Sequence, residues 1–264
     1  MLKGALHVHS TYSDGEFGLA ELREIFLSEG CSFVCMSDHA EYFDEVSIQT
    51  YLAELRRLSD QQFCFVRGLE YRCDQGMHIL GYGASRLATT TDPEAIFRHI
   101  ETQAAISVIA HPKDEHFPWI ESFKTLPQGI ETWNSKYDGR YAPRPRTFEL
   151  LQRLRHRAPA MHAFYGQDLH WKKQFRGLRI VIESDTPEPE GILAALTAGK
   201  YHAEKDAIQL PSSGILLEPL LAEFDRVHTR SDNTRQFLKR GKQMLERLGI
   251  RVPAALKAQV RRIF

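Results

Sequence analysis

Short apolar runs alternate with stretches of helical periodicity through most of the chain, and this alternation restricts it to α/β architectures in which helices cover buried strands. "ALHVHS" reads as a first strand and "LAELREIFLSEG" as a helix that stops at Gly30. "SFVCMSDH" is the next strand, followed by a helix through "YLAELRRL" and a strand in "FCFVRGLEY". "HILGYG", a helix around "PEAIFRHIETQ" and the strands "ISVIAHP" and "GIETWNS" continue the series. The helix "RTFELLQRLRH", the strands "AMHAFYGQDLH" and "LRIVIES", and the helix "EGILAALTAG" complete it. A barrel and an open parallel sheet both fit this pattern.

In parallel α/β folds the chemistry gathers at the carboxyl ends of the strands. Reading each run to its tip gives His7 and His9, Asp38 and His39, Glu70, His111, and Asp168 and His170, while His78 opens "HILGYG". Side chains two apart on a strand share a face, so His7 and His9 converge. A lone histidine is usually a core or surface residue, but six of the twelve histidines fall at these positions together with carboxylates. Buried charges are costly unless paired or bound to metal. Imidazole with carboxylate and no thiolate suits zinc, manganese or iron. The donors exceed what one four-coordinate ion needs, and a carboxylate can bridge two ions. Two cations about 3.5–4 Å apart would activate a water and clamp phosphoryl oxygens, giving hydrolysis without a protein nucleophile.

Five ordered motifs carry a resemblance over roughly residues 3 to 205: "HVHSTYSDG", "SDH" at 37–39, "GLE" at 68–70, "AHP" at 110–112 and "DLH" at 168–170. In these the chain resembles the polymerase and histidinol phosphatase (PHP) family of metal-dependent phosphoesterases. The resemblance implies a distorted (β/α)7 barrel with two to three divalent metals at its carboxyl-end face. Carried over by position, one metal takes His7, His9, Glu70 and Asp168, and Glu70 bridges to a second held by His78 and His111. A third takes Asp14, His39 and His170, where some relatives have a histidine in place of Asp14. His39 or His170, where free of metal, is placed to pass a proton to the leaving oxygen. Asp38 suits a partner that orients an imidazole.

For the substrate, Arg72 follows Glu70, Lys113 follows "AHP", and "WNSKYDGRY" supplies Lys136 and Arg140 for phosphate oxygens, with Trp133 and Tyr137 to flank a ring. Each of these cations reads equally well as a solvated surface charge. His99, His156, His202 and His228 read as structural, and His116 and His162 fit either role. "GYGASR" lacks dinucleotide-site spacing, and no GxSxG elbow is present, which argues against nicotinamide and serine-hydrolase chemistry. Cys31, Cys35, Cys64 and Cys73 read as reduced core thiols.

Formal net charge is zero, so overall charge demands neither nucleic acid nor an acidic membrane. Without a signal-peptide or membrane-spanning pattern, a cytoplasmic location is the default. Residues 1–209 read as the barrel and 210–264 as a helical extension beyond a hinge at Pro211, Ser212, Ser213 and Gly214. Between Arg226 and Arg262 eleven Lys or Arg stand against Asp232 and Glu246. That run suits a helix pair packed on the barrel or in a dimer contact, and next a grip on nucleic-acid phosphates. The expectation is hydrolysis of a phosphate ester on a small molecule or nucleotide, with hydrolysis of a nucleic-acid end and a non-catalytic metal-stabilised binding module as rivals.

Overall fold

The structure, a computed structural model, describes residues 1–184 and 186–230. Its strands are β1 (Leu2–Val8), β2 (Phe33–Met36), β3 (Asp38–His39), β4 (Cys64–Val66), β5 (Gly68–Arg72), β6 (His78–Tyr82), β7 (Ile106–Ala110), β8 (Gly129–Asn134), β9 (His162–Gly166), β10 (Arg179–Ile182), β11 (Tyr201–Lys205) and β12 (Ile208–Pro211). The helices between them are α1 (Leu19–Ser28), α2 (Glu45–Arg57), α3 (Pro93–Glu101), α4 (Phe117–Ser122), α5 (Pro145–Arg155) and α6 (Pro189–Thr197). The α/β reading of the sequence holds.

Local chemistry explains the helix starts. Asp44 caps α2 by accepting from Val46 N and Ser47 N, and Asp92 caps α3 by accepting from Ala95 N, with Pro93 opening the helix. Helix α3 then buries Ile96, Phe97 and Ile100 at i, i+1 and i+4, leaving its polar side to solvent. Strands β7 and β8 are buried throughout, as expected for strands covered on both sides.

The strands form two sheets, ordered β12-β11-β10-β1-β2-β4 and β3-β5-β6-β7-β8-β9. Three short bonds join the end of β1 to the segment after β9: Gln167 N to Leu6 O (2.9 Å), Leu169 N to His7 O (3.1 Å) and His9 N to Leu169 O (3.0 Å). Strand β1 therefore changes neighbour along its length, pairing with β10 at Leu2, Lys3 and Gly4 and with residues 167–169 near its tip.

A uniformly parallel arrangement does not hold. Strand β6 runs antiparallel to both β5 and β7; against β5 this follows because only residues 73–77 join the two, and a parallel crossover needs a dozen or more. Strands β10, β11 and β12 are also antiparallel, ending in a tight β11–β12 hairpin.

The residues read as a hinge are pinned to the sheet: Ala163 N donates to Ser212 O at 2.8 Å, and Arg155 donates to Ser213 O at 2.6 Å. Helical backbone follows over 218–230, with Phe224 buried against the core. Most of the basic run lies in 231–264, outside the described residues. All four cysteines are buried and free. No helix among the described residues is long and apolar enough to cross a membrane.

Candidate metal centre

Strand tips and the loops after them deliver the polar side chains. The loop after β1 turns tightly, with Gly15 N bonded to Ser10 O at 2.9 Å; a Cβ on Gly15 would lie 2.5 Å from His9 O, so this turn needs glycine. The turn brings Asp14 back over His9. Strand β5 carries Glu70 inward, and its antiparallel partner β6 begins with His78. Strand β7 ends before His111, and Asp168 and His170 follow β9.

Glu70, 1 % exposed, is the centre of the cluster. Its Oε1 faces His78 Nδ1 at 2.9 Å and His111 Nε2 at 3.1 Å. Its Oε2 faces His9 Nε2 at 3.2 Å, His7 Nε2 at 3.4 Å and His39 Nδ1 at 3.5 Å. Asp168 Oδ1 lies 3.8 Å from both His7 Nε2 and His9 Nε2. On the solvent side Asp14 Oδ1 faces His170 Nε2 at 3.2 Å, His39 Nε2 at 3.7 Å and His9 Nδ1 at 3.8 Å.

Two ligands on one tetrahedral zinc, with bonds near 2.0–2.1 Å, lie about 3.3 Å apart, so these separations suit donors that share a cation. Buried nitrogens left without a hydrogen-bond partner point the same way: His7 Nε2, His9 Nδ1 and Nε2, and His39 Nδ1. Four overlapping groups can each hold an ion: His9, Asp14, His39 and His170; His7, His9 and Asp168; His7, Glu70 and His111; and His39, Glu70 and His78. All nine residues read as ligands from the sequence are among them. His116 and His162 are in none of these groups.

The electrostatics follow from crowding. Burial would raise the Glu70 carboxyl, but His7, His111 and His78 outweigh it and hold its pKa well below the usual carboxylate range. Asp168 is likewise depressed despite burial, by His7, His170, His111 and Lys136. Burial pushes His9 down to about 3, so this imidazole is neutral and ready to ligate. Burial also pushes His7 down, yet Glu131, Asp168 and Glu70 together carry it above the ordinary imidazole value.

Three of the ligand candidates have left-handed backbone: His7 with φ 61°, His111 with φ 26° and Asp168 with φ 52°. Such conformations cost non-glycine residues about 1–3 kcal/mol each and cluster at functional sites. The convergence of His7 and His9 thus has a different origin from simple alternation. The β1–β2 register shifts between Leu6 and Val8, so an irregular backbone aims His7.

Asp38 differs from the expectation that it orients an imidazole. Its oxygens accept from Ser10 N at 2.8 Å, Ser10 Oγ at 2.9 Å and Ser13 Oγ at 2.7 Å, so it locks the loop between His9 and Asp14. A buried carboxylate in contact with His7, Glu131, was missed by the sequence reading. Its Oε1 meets His7 Nδ1 at 2.9 Å, and its Oε2 accepts from His111 N and Asn134 Nδ2, both at 2.9 Å. A signal was available: "GIETWNS" places a charged residue within a strand that is otherwise uncharged, and such a charge must be paired.

Of the four cations assigned to substrate, Lys136 alone reaches the cluster, with Nζ 2.9 Å from Asp168 Oδ1 and 3.3 Å from His170 Nδ1. Lys113 is exposed and pairs with Glu115 at 3.5 Å. Arg140 is exposed and stacks over Tyr141, 5.8 Å from the ring centroid. Arg72 is exposed at the end of β5. Trp133 cannot flank a ligand ring, because it is fully buried and donates to Gly139 O.

No family model matches the chain. Over 41 residues, 16% of its length, it is 42% identical to the DNA polymerase/3'-5' exonuclease PolX of Bacillus subtilis (strain 168), and the match covers 7% of that polymerase. Among solved structures, a two-domain protein from Bacteroides vulgatus containing a predicted PHP-like metal-dependent phosphoesterase aligns with a TM-score of 0.58 at 19% identity, covering 85% of this chain and 69% of that one. At 19% identity this likeness shows that the two chains share a fold. The family resemblance read from the five motifs is borne out.

Proposed function

We propose that the chain hydrolyses a phosphate ester with bound divalent cations, most favourably a phosphomonoester of a nucleotide or another ring-bearing small molecule. The observation that carries this reading is the convergence of five imidazoles on the two oxygens of buried Glu70. His7, His9, Glu70 and Asp168 would hold one cation, Glu70, His78 and His111 a second, and Asp14, His39 and His170 a third. Zinc, manganese and iron suit these donors. Bound there, the cations supply Lewis acidity and an acidified water.

The chain's own groups support the rest. Lys136 stands at the edge of the cluster, where its ammonium can donate to a phosphate oxygen. Three exposed aromatics border the ligand rings: Tyr137 beside His111 (4.7 Å between centroids), Trp171 beside His170 (5.5 Å) and Tyr42 beside His39 (6.1 Å). Such faces stack on a base or other ring. His39 and His170 share Asp14 on the solvent side, where either ring, when free of metal, can hand a proton to the leaving oxygen. Arg72, Lys113 and Arg140 are outlying cations that a longer substrate would meet.

The bonds from β1 to residues 167–169 support closure of the strands into a distorted (β/α)7 barrel; its proposed span is 1–209 and its proposed setting is cytoplasmic. A second reading is hydrolysis of a nucleic-acid end, favoured by the basic run and by the local likeness to a polymerase/3'-5' exonuclease. Activity on oligonucleotides that falls steeply with salt, against a flat profile on a small ester, would select it.

The test is a screen of phosphorylated metabolites, nucleotides and oligonucleotides against metal-reconstituted protein, with metal content measured alongside. Glu70→Ala is expected to lose bound metal and at least about 100-fold in kcat/KM, a loss of about 2.7 kcal/mol in transition-state stabilisation. Undiminished, chelator-resistant hydrolysis by this variant would remove the reading.

A further inference from the structure

The three left-handed ligand candidates meet one small network. Glu131 touches the ring of His7 and the backbone N–H of His111, and Asn134 Nδ2 spans from Glu131 Oε2 (2.9 Å) to Asp168 Oδ2 (3.1 Å). Both residues are buried, Glu131 at 1 % and Asn134 at 0 % exposure. Space for the carboxylate is reserved by Gly166, since a Cβ there would collide with Glu131 Oε1 and lie 2.8 Å from His7 Cβ.

We propose that Glu131 and Asn134 are positioning residues that build the metal site before any cation arrives, by fixing His7 with its proton on Nδ1 and holding His111 and Asp168 in their strained backbone. The proposal rests on reading these three as ligands. A carboxylate oxygen accepts, so His7 must donate from Nδ1, which leaves Nε2 bare toward Glu70 and Asp168 once the ring is neutral. Oε2 accepts from His111 N and Asn134 Nδ2, so both carboxylate oxygens are engaged. Asn134 is itself oriented, because its Oδ1 accepts from Lys136 N at 3.0 Å and Tyr137 N at 3.1 Å, which directs Nδ2 at the two carboxylates.

Glu131→Gln keeps the shape and alters the donor pattern. With its oxygen kept toward His111 N–H and Asn134, the amide NH2 faces His7 Nδ1, and the ring must take the opposite tautomer, with its proton on Nε2 where the cation should bind. The expected result is a loss of about 10- to 100-fold in zinc or manganese affinity by calorimetric titration, with far-ultraviolet circular dichroism unchanged. Asn134→Ala should show a smaller loss. Should Glu131→Gln not fold, ring nitrogen-15 spectra of the unaltered protein decide: zinc-loaded protein must show His7 with Nδ1 protonated and Nε2 shifted by metal. A Gln variant that keeps full affinity, or a His7 bare at Nδ1, would overturn the proposal. Protein that binds cations, weakens in Glu131→Gln and hydrolyses no ester would sink the hydrolase reading and leave this one standing.

Discussion

His7 is subject to opposing demands. Burial favours a neutral ring, while Glu131, Asp168 and Glu70 favour a charged one and prevail in the absence of metal. A folded pKa above the unfolded value means stabilisation that is complete below about pH 6.5 and is lost as pH rises through the folded value. Glu70 and Asp168 have the opposite sign: depressed in the fold, they stabilise above about pH 4.5 and lose this as pH falls through their folded values. Chelator-treated protein should therefore melt at progressively lower temperature as pH climbs above 6.5. With zinc or manganese present the decline should vanish, because a cation takes over the role of the protons. Parallel melting profiles with and without chelator would contradict this. At this scale the sequence was informative, since strand-tip histidines and acids are visible as letters. It was silent on which acid serves which ring. Asp38 is adjacent in sequence to His39 yet bonds to Ser10 and Ser13, whereas Glu131 is 124 positions from His7 and bonds to it directly.

At the scale of elements, strand positions were legible from apolar runs, but strand direction was not, because periodicity is the same read either way. The short 73–77 connection held the missing information about β6. The "AMHAFYGQDLH" run likewise reads as one strand, whereas β9 stops at Gly166 and the chain kinks at Asp168. Gly166 shows how tightly β8 and β9 are matched around the site. Gly166→Ala would push against both Glu131 and His7 and is expected to cost about 1–3 kcal/mol, read as a lower urea midpoint. An unchanged midpoint would mean that the two strands have slack there.

For the whole molecule, β10–β12 flank the start of β1 while the ligand candidates collect at its far end, so the antiparallel hairpin lies away from the candidate metal centre. The described stretch after β12, residues 218–230, packs on the rest of the fold. Phe224 is 2 % exposed, and His228 Nε2 lies 3.0 Å from Ala142 O. Phe224→Ala is expected to cost about 3–5 kcal/mol in global stability, measured by denaturant unfolding followed through two probes. Loss of less than about 1 kcal/mol would show that the stretch can detach without consequence. The residues read from the sequence as a hinge, 211–214, bond in this structure to β9 through Ala163 N and to α5 through Arg155.

One acid shared by two flanks of imidazole has a consequence for how such a pocket fills. If two cations share Glu70, the first to settle would draw electron density from an oxygen pair that the second also needs. Occupancy on either flank would then be a linked equilibrium, and the pair would be gained and stripped with a common dependence on free ion concentration.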